Sequence, residues 1–140
     1  MVDYKEIASY IIILAIVLIV AQHLNVVVSG SMEPVFYRGD IVAIQKTDLL
    51  GIHEFNPKDV QVGDIVVYNA KWFNQPVIHR IINITEINGT TMYVIKGDHN
   101  QRPDPYYVTS DQIQARVLTF GDKPVVIPWI GNLSLWIRGL

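Results

Sequence analysis

The sequence predicts a mainly β protein, with a single N-terminal transmembrane helix followed by a small, curved antiparallel β-sheet or barrel-like domain. Three observations predict it. An apolar run begins at Ile7, carries polar groups only at Ser9 and Tyr10 as far as Ala21, and resumes at Leu24 and Val26-Val27-Val28. After residue 28, short β-branched and aromatic runs alternate with clusters of Gly, Asn, Asp and Pro. No long amphipathic helical pattern appears beyond that point.

At about 1.5 Å of rise per residue, a helix over residues 7–28 would be roughly 33 Å long, enough for a bilayer core of about 30 Å. Residues 1–28 therefore read as a membrane anchor, transmembrane over about 7–28, and residues 29–140 as the β-rich domain. A cleavable leader would need a positive n-region, but Lys5 is offset by Asp3 and Glu6. A buried core helix is the other competitor, and this run has no polar face. Charge does not orient the span, because Lys5 on one flank faces Arg38 and Lys46 on the other.

Strands are expected over residues 40–45, 64–68, 77–84, 92–96 and 113–120. Asn88-Gly89 is a strong hairpin signal between two of them. Gly39-Asp40-Ile41-Val42 recurs as Gly63-Asp64-Ile65-Val66, two similar turn-to-strand entries. Lys71-Trp72-Phe73 and residues 127–138 have the aromatic character of an interface belt. The latter stretch is too short for a second span and contains Pro128 and Arg138.

The formal net charge of −2 disfavours a nucleic-acid partner, which would call for clustered Lys and Arg. With no cysteine, disulfides, thiolate catalysis and Cys-based zinc sites are excluded. The histidines at 23, 53, 79 and 99 lack the i, i+4 pairing of a zinc helix, so neither a metal nor another cofactor is expected.

Chemistry-bearing residues cluster where the apolar run ends. Ser29-Gly30-Ser31-Met32-Glu33-Pro34 places a hydroxyl beside a backbone-permissive Gly and a turn-forming Pro. A serine hydroxyl needs a neighbouring base to attack a carbonyl, and an imidazole with an ordinary pKa near 6.5 suits that task. His79, within Val77-Ile78-His79-Arg80-Ile81-Ile82, is expected on a buried strand that would hold its ring rigidly. Asp98 and Asp104 are both candidates to fix that ring, and their spacing does not rank them. Asp98 could equally cap the turn after Lys96-Gly97. The Ser31 N–H and the Ser29 hydroxyl could hold a developing oxyanion.

Taken in order, Ser29-Gly30-Ser31-Met32-Glu33-Pro34, the two Gly-Asp-Ile-Val entries, Ile78-His79-Arg80 and Gly97-Asp98-His99-Asn100 resemble a type I signal peptidase. The similarity is to the archaeal and endoplasmic-reticulum type, for His79 stands where the bacterial branch places a lysine. The resemblance implies a membrane-bound serine endopeptidase (a hydrolase) that removes signal peptides after a small-x-small motif, binding its substrate as an added β-strand. It implies Ser31 as nucleophile, His79 as base, Asp104 as the essential acid and Asp98 in support. Ser29 and Met32 are the candidate oxyanion and substrate-binding residues.

It also implies secretory preproteins as substrates, membrane lipid and the translocation machinery as partners, and a catalytic domain on the cell-exterior or luminal face. A non-catalytic accessory subunit of a preprotein-processing complex is the alternative, disfavoured by the complete Ser31, His79 and Asp104 set. A self-cleaving repressor-type protease resembles this chain in fold, but it expects a lysine base and no anchor. Sequons at Asn83, Asn88 and Asn132 fit an exterior domain.

Overall fold

A computed structural model of the chain describes residues 1–128 and 135–139. Its first element, α1 (Tyr4–Gln22), opens on Asp3, whose side chain accepts the Lys5 N–H at 2.9 Å and satisfies one orphan donor of the first turn. Nineteen residues give a rod of roughly 28 Å. None of its residues is buried against the other described residues. By length and composition α1 can cross a membrane, as the apolar run predicts.

The helix stops at Gln22 rather than running to Val28, which corrects the expected span. His23 closes it, with its ring Nδ1 2.7 Å from the Ile19 carbonyl, one of the acceptors that a helix end leaves unpaired. The residues after His23 find a strand partner instead. Here β1 (Leu24–Val26) pairs antiparallel with β2 (Ile41–Lys46), Leu24 opposite Ala43 and Val26 opposite Ile41. Apolar continuity alone cannot separate the last helical turn from a buried strand.

Among the described residues, seven strands form one sheet. Its order is β1-β2-β6-β3-β4-β5, with β3 (Ile65–Asn69), β4 (Pro76–Ile87), β5 (Thr90–Lys96) and β6 (Ile113–Val117). All the pairings are antiparallel, and β9 (Val126–Ile127) also joins β2. The sheet is open, not a closed barrel. The expected run over 113–120 breaks at Leu118, after which β7 (Thr119–Phe120) and β8 (Lys123–Pro124) make a separate small hairpin. Between β4 and β5, Asn88 and Gly89 both have positive φ (51° and 76°), the geometry a two-residue I′ turn requires.

The centre of the sheet explains its composition. Strand β3 lies between β4 and β6 and is buried on both faces. Its alternate residues feed two cores. Val66 and Tyr68 pack with Val77, Ile81, Tyr93 and Ile95, whereas Ile65 and Val67 pack with Val27, Met32, Phe36 and Ile44. His79 pairs with Val66 across the ladder and so shares the first face. The serine loop, anchored by Val27, Met32 and Phe36, belongs to the second. Of the aromatic stretches, Trp72 and Phe73 are partly exposed with ring centroids 5.7 Å apart. In the other, Leu135 is buried and Trp136 and Ile137 are exposed, while residues 129–134 and 140, including the Asn132 sequon, lie outside the described residues.

Candidate active site

Ser31 sits in a loop pinned from both ends. Val27 exchanges backbone hydrogen bonds with Gly39 (2.8 Å) and Asp40 (2.9 Å), and Met32 and Phe36 are anchored in the core. A second loop closes over it, with the His99 N–H donating to the Ser31 carbonyl at 2.9 Å. Gly97 permits this approach. A Cβ there would stand 2.6 Å from the Ser31 carbonyl oxygen and 2.9 Å from His79 Nε2.

His79 is only 4% exposed and is held in line. Its Nε2 lies 2.9 Å from Ser31 Oγ, and its Nδ1 lies 2.7 and 2.9 Å from the two oxygens of Asp104. A carboxylate can only accept, so Nδ1 carries the proton and Nε2 is left to accept from the serine hydroxyl. Asp104 is placed by its own N–H, which donates to the Ile95 carbonyl at 2.8 Å, and by the Tyr93–Val108 bridge that lays the return chain along β5. Ser29 Oγ lies 3.1 Å from Ser31 Oγ.

Asp98 is not the histidine's partner. Both its oxygens are taken by Arg80, at 2.9 Å from Nε and 2.7 Å from Nη2. That hydrogen bonding, with the opposite charge, raises the Arg80 guanidinium above its ordinary pKa. Arg80 also donates to the Gly63 carbonyl at 2.8 Å, so the ion pair ties the loop over Ser31 to the β3 entry. The side chain of Met32, the candidate substrate-binding residue, is wholly buried and accepts the Asp98 N–H at its sulfur (3.4 Å), so it helps to hold the loop.

One contributor escaped the sequence reading. The Tyr68 hydroxyl donates to Asp104 Oδ2 at 2.5 Å, inside the core. Burial first, and the adjacent carboxylate second, push its phenol far above the ordinary range, so it remains a donor. A signal was present: a Tyr directly after the aliphatic run Ile65-Val66-Val67 of a buried strand must find a partner for its hydroxyl.

Beside the line of Ser31, His79 and Asp104 opens a cavity of about 390 Å³, lined by Ser29, Ser31, Trp72, Phe73, Ile78 and Asn100 among others. One wall is a strand edge. Strand β5 pairs with β4 only from Arg80 onward, so residues 76–79 have, among the described residues, a ladder partner on the β3 side alone. His23 and His53 are engaged elsewhere, with Glu54 and the Thr47 carbonyl.

A polar line from hydroxyl to imidazole to carboxylate, next to a groove with a free strand edge, is the arrangement of a peptidase. Residues 3–103 match the family model described as signal peptidase, peptidase S26, and the chain belongs to that family. The match ends one residue before Asp104. Within the family the chain is of type I, of the archaeal and endoplasmic-reticulum kind, as its motifs suggest. It is 32% identical to the signal peptidase complex catalytic subunit SEC11 of Colletotrichum graminicola, over 79% of this chain and 60% of that one. It is 30% identical to the SEC11 subunit of Plasmodium falciparum, over 81% and 57% respectively. An uncharacterized protein of Methanocaldococcus jannaschii is 32% identical, over 89% of this chain and 88% of its own length. The chain spans about three fifths of the length of those two catalytic subunits.

Proposed function

We propose that this protein is a membrane-bound serine endopeptidase that removes N-terminal signal peptides from secretory preproteins, cleaving after a small-x-small motif. The reading rests on one observation above all, the unbroken line Ser31 Oγ, His79 Nε2, His79 Nδ1, Asp104.

In this reading His79 takes the hydroxyl proton as Ser31 Oγ attacks the carbonyl carbon preceding the scissile bond. Asp104 keeps the ring in the required tautomer and stabilises the imidazolium that forms. The Ser31 N–H and the Ser29 hydroxyl hold the oxyanion. His79 then gives the proton to the leaving amine, and the acyl-enzyme carries the signal peptide. Water, deprotonated by His79, hydrolyses that ester and restores Ser31. The substrate lies as an extended strand against the free edge of residues 76–79, so main-chain hydrogen bonds supply affinity and shallow pockets read the side chains.

The anchor adds proximity. Nine positions separate Gln22, the last residue of α1, from Ser31, so reaction is confined to bonds presented close to the bilayer, where enzyme and preprotein are both concentrated. The catalytic domain lies on the cell-exterior or luminal face, in contact with lipid and with the translocation machinery that delivers preproteins.

Cleavage of a signal-peptide-bearing preprotein by the detergent-solubilised protein tests this. Ser31→Ala and His79→Ala are each expected to lower the rate by roughly four to six orders of magnitude. Full cleavage by either variant would refute the assignment. Failure of the wild type to cleave would favour the accessory-subunit alternative.

A further inference from the structure

A second cavity, of about 490 Å³, opens beside the first on the side toward the membrane helix. Leu24, Asn25, Lys46, Asp48, Pro76 and Gln114 are among its lining residues, and Gln22, the last residue of α1, stands at its margin. We propose that it is a distal subsite, receiving an uncharged polar side chain about five to six residues upstream of the scissile bond. This rests on the signal-peptidase reading and extends it.

Continuity is the first argument. Two strips of chain contribute to the lining of the site cavity, one with Val28, Ser29 and Ser31 and the other with Pro76 to His79. Followed backwards, the first strip reaches Asn25 and Leu24, and the second begins at Pro76, which lines both cavities. An extended peptide with its reacting carbonyl at Ser31 therefore runs out of one cavity into the next. Asn25 lies six positions before Ser31, and at about 3.3 Å per residue this is at most roughly 20 Å, or about six substrate residues.

Chemistry is the second. The first cavity is walled largely by Val28, Trp72, Phe73, Val77 and Ile78, which suits small apolar side chains. The second has an amide at Asn25 and another at Gln114 among its lining residues, with the oppositely charged Lys46 and Asp48, whereas the Thr47 hydroxyl donates to the Gln114 carbonyl at 3.1 Å. With one cation and one anion, neither charge sign is favoured. Hydrogen-bonding groups of both kinds are available instead, which matches Ser, Thr, Asn or Gln. The position beside Gln22 gives the third argument, because a substrate's apolar segment leaving the bilayer next to α1 meets this cavity first.

A preprotein series with a photo-crosslinking phenylalanine at single positions one to nine upstream of the cleavage site tests the assignment on the full chain in detergent. Residues five and six are expected to cross-link to peptides containing Lys46, Asp48 or Gln114, and residues one to three to the segment from Trp72 to Ile78. In parallel, Gln114→Trp fills the cavity from an exposed position on β6. It should raise KM about tenfold, the low end of what one pocket contact discriminates, with kcat within about twofold and an unchanged melting temperature. Cross-links from positions five and six that miss these peptides, while positions one to three behave as expected, would overturn the subsite and leave the peptidase reading standing. An unchanged KM in Gln114→Trp would do the same. If the wild type cleaves no preprotein, the reading fails and the subsite with it.

Discussion

Replacing Tyr68 by Phe removes one hydroxyl and almost no volume, and the geometry predicts a catalytic defect in a protein that still folds. The hydroxyl donates at 2.5 Å to Asp104, whose side chain is 3% exposed and whose other partner is the His79 ring. A hydrogen bond to a charged group contributes roughly 1.5–3 kcal/mol. At 1.36 kcal/mol per factor of ten, full loss of that support in the transition state bounds the fall in kcat at roughly 10- to 150-fold. The substituted residue never touches substrate, so the defect comes through the placement of Asp104 and of the ring it holds. Preprotein cleavage by the detergent-solubilised protein reads the effect, with a thermal melt alongside to confirm folding. A folded Tyr68→Phe with wild-type kcat would refute the reasoning.

Gly97→Ala should lower activity by roughly 100-fold or more while lowering stability by only about 1–3 kcal/mol, because the added methyl meets the Ser31 carbonyl and the His79 ring rather than the deep core; a near-wild-type rate would sink the close-approach argument. Asp104→Asn should cost roughly 10⁴-fold in kcat through loss of the correct tautomer. Asp98→Asn acts only through the Arg80 tether and should cost far less, so equal defects would contradict the separation of the two acids. At the helix exit, His23 is raised above 6.5 by hydrogen bonding to the Ile19 carbonyl and then to Glu54. Glu54 is lowered below 4.5, the Lys46 N–H and His23 outweighing its desolvation. A raised histidine stabilises fully below 6.5 and loses its contribution as pH climbs through the higher folded value; a lowered carboxylate stabilises above 4.5 and loses its contribution as pH falls through the lower one. The junction of α1 and β2 should thus be tightest near pH 4.5–6.5. Limited proteolysis around residues 22–28 should be slowest in that window, and a profile unchanged by His23→Gln would refute the assignment.

How far the sequence carries the site depends on which interactions are local. The I′ turn at Asn88-Gly89, the Gly-Asp entries to β2 and β3 and the burial of His79 all follow from short-range patterns, and the structure agrees with each. The choice between Asp98 and Asp104 does not, for the two lie in one loop and either could reach β4. Strand alternation separates them. His79 and Arg80 are neighbours on β4, so their side chains leave the sheet on opposite faces. Asp104, brought in along β5 by its bond to Ile95, meets the imidazole on the inner face, and Asp98, at the start of the loop, meets the guanidinium on the other. Each acid has one basic partner and one task. The first fixes the ring that faces Ser31; the second holds down the loop whose His99 N–H grips the Ser31 carbonyl. The adjacent pair His79-Arg80 thus sets Ser31 from two sides at once: through its hydroxyl on one face, and through its backbone on the other.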